Sequence, residues 1–134
     1  MTDVELLQYA VEAREMAYAP YSGFRVGAAL LGKSGKLYKG CNVENAAYSP
    51  TNCAERTALF KAVSEGEREF TAIAIVGGMD EKINDFCAPC GVCRQALAEF
   101  CGPNFRVVLG TPDHPQAFAF KEILPYGFTK KDLE

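Results

Sequence analysis

The sequence predicts an α/β fold in which helices pack over a mixed five-stranded sheet. Three observations carry this expectation. Apolar residues recur at helical spacing between Val4 and Ala13. Five runs later in the chain have the length and composition of strands. In the second half strands alternate with a helix-length segment, the pattern of a parallel crossover. The 134 residues suit a single domain over 1–134, large enough to bury roughly 70% of its unfolded surface.

The first helix opens on Thr2-Asp3-Val4-Glu5, a capping box in which Thr2 caps and Glu5 reaches back. Val4, Leu7 and Val11, with Leu6, Ala10 and Ala13 beside them, form its apolar stripe, and Pro20 places its end near Ala17. Arg25 to Leu31 and Leu37 to Val43 are strands joined by the hairpin loop Gly32-Lys33-Ser34-Gly35. After Pro50 a helix runs from Cys53 to Glu65 and stops at Gly66. Phe70 to Val76 has the apolar composition of a buried strand. Gly91 to Phe100 is the third main helix, Phe105 to Leu109 and Gln116 to Phe120 the last strands, and a short helix closes the tail.

Charge and composition narrow the function. A net charge of −3 gives no electrostatic footprint for nucleic acid. The charge-free apolar stretch Val26 to Gly32 is far too short to span a bilayer. Asp3 and Glu5 occupy the place of the basic and apolar regions of a secretory signal, so the expected compartment is the cytoplasm. There the six cysteines serve as metal ligands or free thiols; their even number also admits a disulfide framework.

Two short segments carry the chemistry: Cys53-Ala54-Glu55 and Pro89-Cys90-Gly91-Val92-Cys93. A structural zinc site takes four Cys or His ligands and needs no acid. Three thiols with one carboxylate suit a catalytic zinc, with a fourth position open for water and an acid to move protons. Cys53 opens one helix and Cys90 with Cys93 another, so two helix N-termini favour the thiolates a metal requires. Three thiolates leave zinc with a net charge of −1 and weaken it as a Lewis acid. Arg56, three residues after Cys53 on the same helix face, is expected to donate to the ligand sulfurs and restore part of that acidity. Arg94, directly after Cys93, is a second candidate. Glu55 points to another side of the first turn, where a proton shuttle contributes roughly 10²–10⁴-fold. Complementing the helix dipole alone is worth only about 0.3–1 kcal/mol.

His-x-Glu followed by Pro-Cys-x-x-Cys is the zinc-deaminase pattern, and this chain shows its all-cysteine variant. With Ala19-Pro20-Tyr21-Ser22, Phe24 through Ala29, Gly40-Cys41-Asn42-Val43-Glu44-Asn45-Ala46, Cys53-Ala54-Glu55-Arg56 and Pro89 through Gln95, it closely resembles the small, homotetrameric cytidine deaminases. The resemblance implies a three-layer α/β/α fold and hydrolytic deamination of cytidine and deoxycytidine to the uridines and ammonia. It implies Zn²⁺ on Cys53, Cys90 and Cys93, a zinc-bound hydroxide attacking the amine-bearing ring carbon, and Glu55 as proton shuttle. It implies Asn42 and Glu44 on the ribose hydroxyls, Phe24 against the base, and the Ala54 backbone near the pyrimidine. Strand alternation would set Asn42 and Glu44 on one face, and amide plus carboxylate satisfy a hydroxyl that both donates and accepts. The resemblance further implies a homo-oligomer, expected to be a tetramer, whose neighbouring subunits supply Tyr48 and Phe128 to each site.

Cys87 is expected to be a bystander, Cys41 and Cys101 small buried hydrophobes, and His114 a turn residue. Competing readings are an iron–sulfur protein, which needs a fourth cysteine where Leu97 stands, and a structural zinc module closed by Cys87. Among enzymes the nearest alternatives act on polynucleotides or on a nucleobase-like antibiotic. The acidic balance argues against the first of these, and Asn42 with Glu44 argues for a nucleoside.

Overall fold

Thr2 starts the chain's first helix, α1 (Asp3–Arg14), by accepting the Glu5 N–H on its hydroxyl at 3.1 Å. The computed structural model describes residues 1–134. Strands β1 (Phe24–Gly32) and β2 (Leu37–Cys41) form the expected hairpin. Helix α2 (Ala54–Ser64), strand β3 (Phe70–Met79), helix α3 (Gly91–Ala98) and strands β4 (Arg106–Thr111) and β5 (His114–Ala119) follow. A one-turn helix α4 (Phe120–Ile123) and a 3₁₀ turn over Lys130–Leu133 close the chain.

The five strands make one sheet in the order β2-β1-β3-β4-β5. Only β3 and β4 run parallel, joined through α3; the other neighbours are antiparallel. Period-two alternation divides β3 between two cores. Ile73 and Ile75 face α2 and α3, with Leu59, Leu97 and Val107. Ala72, Ala74 and Val76 face α1, with Leu6, Leu7 and Ala10. The layers are therefore α/β/α. Gly40 lets α2 approach β2 closely, since a Cβ there would lie 2.6 Å from Ala54 O. That contact seats the start of α2 against the sheet.

Several boundaries differ from expectation. Helix α1 stops at Arg14, three residues before Ala17, where the backbone tightens to i→i−3 bonds from Met16 N to Ala13 O and from Ala17 N to Arg14 O, and the Arg14 side chain is buried. Its buried guanidinium donates to the carbonyls of Arg25, Gly78, Asp80 and Lys82 at 2.6–3.0 Å, pinning the segment that leads from β3 toward Cys90. Strand β2 ends at Cys41 rather than Val43. There Asn42 uses its side chain as ladder partner: Oδ1 accepts from Val26 N and Nδ2 donates to Phe24 O, both at 2.8 Å. Asn42 and Glu44 thus lie beyond the strand, and strand alternation is not what orients them. Phe120 begins α4 instead of ending β5, because Glu122 Oε2 accepts the Ala119 N–H at 2.7 Å.

Candidate active site

Cys53 and Cys90 are the N-cap residues of α2 and α3, with extended backbones at φ −76° and −68°. Neither side chain caps its helix, so both thiols remain free. Cys93 sits one turn into α3 and is fully buried. The three sulfurs lie within 4.8 Å of one another, and Cys53 Sγ is 3.7 Å from Cys90 Sγ. A tetrahedral zinc with bonds of about 2.3 Å sets its sulfurs about 3.8 Å apart, so this trio fits the metal. Cys87 is not in the cluster. Its sulfur stands against Gly77, and burial pushes its thiol up to about 11. A closed four-cysteine site is therefore not formed. All six cysteines are free thiols, which removes the disulfide framework. Cys101 lies in the core between the sheet and α3, as its reading as a small hydrophobe anticipates.

The three thiols are electrostatically unequal. Cys53 is pulled down to about 5, chiefly by the Cys93 S–H donating to it, against burial, and then by Arg56 and Cys90. Cys93 is pushed up, since it gives that hydrogen bond and is itself buried. Arg56 Nη2 lies 3.5 Å from Cys53 Sγ, and its buried Nε has no partner. A thiolate cluster beside it answers the need of that guanidinium for acceptors. Arg94 does not approach the sulfurs; it donates to the carbonyls of Pro89 and Ile123.

Glu55 is only 4% exposed. Burial pushes its carboxyl up to about 7, with the Cys53 charge adding to the rise and the Cys93 and Arg56 contacts opposing it. It faces a cavity of about 240 Å³ that also holds Phe24, Asn42, Glu44, Ala54 and Cys87. Ala54 is fully buried. Ser22, missed as a candidate although it ends the Ala19-Pro20-Tyr21-Ser22 segment, fixes Glu44. Oε1 accepts from Tyr21 N at 2.9 Å and Ser22 N at 3.1 Å, and Oε2 accepts from the Ser22 hydroxyl. These bonds hold the Glu44 carboxyl below the usual carboxylate range, the Ser22 hydroxyl most of all.

Tyr48 and Phe128 are 75% and 58% exposed. Tyr48 borders a second hollow shared with Ser22 and Glu44, while Phe128 does not line the cavity of its own chain. Tyr48 also holds φ 61°, in the left-handed region. His114, expected in a turn, instead begins β5, where it pairs with Thr111, and it is not among the clustered ligand residues. No helix is long and apolar enough to cross a membrane.

Residues 1–111 match the family model described as the cytidine and deoxycytidylate deaminase zinc-binding region. A cytidine deaminase of Sporosarcina psychrophila is 50% identical over 133 residues, covering 98% of this chain and 95% of that protein. One from Halalkalibacterium halodurans is 50% identical over 129 residues, covering 96% and 95%. The crystal structure of cytidine deaminase from Burkholderia pseudomallei superposes with a TM-score of 0.87 at 47% identity, covering 96% of this chain and all of that one.

Proposed function

This chain belongs to the cytidine and deoxycytidylate deaminase family, and on that footing we propose that it hydrolyses cytidine and deoxycytidine to uridine and deoxyuridine with release of ammonia. One observation carries the proposal: a buried carboxyl, Glu55, shares a single cavity with Cys53 and Cys90, two of the three converged thiols, and with a fixed amide–carboxylate pair. Cys53, Cys90 and Cys93 would hold zinc, which when bound supplies a Lewis acid and an acidified water at neutral pH.

Glu55 moves the protons. Buried at the cavity wall beside the cysteine cluster, its carboxyl is placed to take a proton from the attacking water and to give it up again. It delivers that proton to the ring nitrogen beside the attacked carbon, then takes the proton of the newly added hydroxyl and passes it to the amine, so that the carbonyl forms as ammonia leaves. Arg56 brings positive charge to a three-sulfur site that would otherwise be electron-rich. Phe24 and the Ala54 backbone frame the base.

Asn42 and Glu44 receive the sugar with the valences that their backbone contacts leave over. Asn42 Oδ1 accepts from Val26 and one Nδ2 hydrogen goes to Phe24, so the other N–H is its one remaining donor. Glu44 keeps lone pairs and has nothing to donate. One sugar hydroxyl that accepts from Asn42 and donates to Glu44 completes both. Since deoxycytidine is a substrate on this account, that group is the 3′-hydroxyl. The cavity lining contains no Lys or Arg, so a 5′-phosphate finds no cationic partner.

The active unit is a homotetramer in which neighbouring subunits close each cavity with Tyr48 and Phe128. Their exposure, and the absence of Phe128 from its own chain's cavity, support this assignment. Closing the cavity excludes water and strengthens the electrostatics within it. The unpaired thiols support a cytoplasmic setting, and the chain works as one domain over 1–134. Incubation of zinc-loaded protein with cytidine, deoxycytidine, cytosine and cytidine 5′-monophosphate tests the function. Ammonia should appear rapidly from the first two and poorly from the others; equal efficiency on cytosine removes the sugar role.

A further inference from the structure

Two consecutive side chains of α3 reach away from the cysteine cluster and hold a C-terminal turn at both ends. Arg94, directly after Cys93, donates through Nε to Pro89 O at 2.8 Å and through Nη1 to Ile123 O. Gln95 donates through Nε2 to Phe128 O at 2.8 Å. Between these anchors lies Leu124-Pro125-Tyr126-Gly127, where Tyr126 holds φ 56°, a conformation that a residue with a side chain rarely adopts. Tyr126 is fully exposed and Phe128 largely so, so burial of those rings within this chain does not maintain the turn. The two side-chain anchors stand in its place, and strain kept by surrounding contacts points to function.

We propose that Gln95 is a positioning residue that presents Phe128 to the nucleoside cavity of a neighbouring protomer. The helix that supplies Cys90 and Cys93 to one site thereby sets the wall of another. This rests on the shared-site reading given above. Arg94 supplies the companion anchor: it joins the carbonyl just before Cys90 to the start of the same turn. A turn held at one end only would let the Phe128 ring swing away from the partner's cavity.

Gln95→Glu tests the role, since a carboxylate of the same shape cannot donate to Phe128 O. In the zinc-loaded oligomer KM for cytidine should rise about three- to tenfold, the scale of one lost hydrogen bond, with kcat little changed. Zinc per chain and sedimentation should stay as in the wild type. Phe128→Ala should raise KM at least as much, and the double variant should be no worse than Phe128→Ala alone. Co-assembly with Glu55→Gln protomers then separates positioning from a local structural effect. Those protomers turn over far too slowly to contribute to the measured rate but present Phe128 correctly, so mixed oligomers should regain sites of wild-type KM.

Wild-type KM in Gln95→Glu beside a raised KM in Phe128→Ala overturns the positioning role and leaves the shared site standing. Wild-type KM in both overturns both. Failure of the mixed oligomers to regain low KM shows that Gln95 acts within its own site and overturns the role. Should Gln95→Glu lose zinc or assembly, Gln95→Ala takes its place; the same loss in both variants makes Gln95 a brace of the metal helix and overturns the proposal.

Discussion

Ser22 donates to both oxygens of the Glu44 carboxylate, its backbone N–H to Oε1 at 3.1 Å and its hydroxyl to Oε2. The same hydroxyl accepts the Phe24 N–H at 3.0 Å. One small residue therefore ties the carboxylate assigned to the sugar to the backbone of the aromatic assigned to the base. Glu44 is thereby held in place before a substrate arrives, which lowers the ordering cost of binding.

The leftover valences at Asn42 and Glu44 fit a single hydroxyl, so the two sugar hydroxyls should matter unequally. Removal of the 2′-hydroxyl should change kcat/KM little. Removal of the 3′-hydroxyl should lower it by about 10²-fold or more, because a site built around a hydroxyl leaves its polar groups unpaired without it. Steady-state kinetics on cytidine, 2′-deoxycytidine and 3′-deoxycytidine provide the comparison, and equal losses for the two deoxy sugars would contradict the assignment.

Ser22→Ala should raise the Glu44 pKa toward the ordinary carboxylate range, since the Ser22 hydroxyl is the largest cause of its depression. A folded-state pKa below the unfolded one means that the stability the charged form contributes is present above the unfolded carboxylate range. It is lost as pH falls through the lower folded value. In Ser22→Ala that loss moves to higher pH. Carboxyl-selective NMR titration of Glu44 in both proteins reads the shift directly; an unchanged midpoint would count against the Ser22 hydrogen bond.

Much of this architecture was legible in the sequence. Helical spacing in α1 and the apolar run of β3 follow directly from the burial of one face or two, and the cysteine spacing anticipated the converged thiols. Other features depend on tertiary contacts that periodicity does not encode. Nothing in the helical periodicity marks Arg14 as inward-facing, yet it is buried among four carbonyls brought together from β1, the end of β3 and the segment after it. Asn42 ends β2 with a side-chain pairing that an alternating pattern cannot reveal. Ser22 lay within a motif segment, but its bond to Glu44 spans 22 residues and appears only once the loops meet. Sequence adjacency to Cys93 suggests Arg94 beside the sulfurs; the helix turns it toward α4 instead.

Cys53→Ala, Cys90→Ala and Cys93→Ala should each empty or greatly weaken the metal site, whereas Cys87→Ala should retain one zinc per chain. Ion binding contributes to folding free energy, and these ligands join two helices, so metal loss should also lower Tm. Chelation of the wild type should lower Tm in the same direction. Metal analysis beside calorimetry checks both effects, and zinc loss from Cys87→Ala would mean that the site is closed by a fourth thiol.

Arg56→Ala should keep the fold while lowering zinc affinity or kcat by about 10–100-fold, the usual scale for a group that tunes metal ligands from behind. Arg56→Lys should recover only part of the loss, because an ammonium does not reproduce the guanidinium fork. Zinc titration and single-turnover rates distinguish a binding defect from a chemical one. Full activity in Arg56→Ala would remove its electrostatic role.

In the proposed function Glu55 performs the proton transfers of deamination beside a metal that it does not hold. Ammonia release from cytidine per bound zinc, measured for the wild type and Glu55→Gln at equal metal content, tests it most directly. Full zinc occupancy is expected in the variant, with turnover lower by roughly 10²–10⁴-fold or more. Wild-type turnover in Glu55→Gln, or a loss of activity that merely tracks loss of zinc, would contradict it.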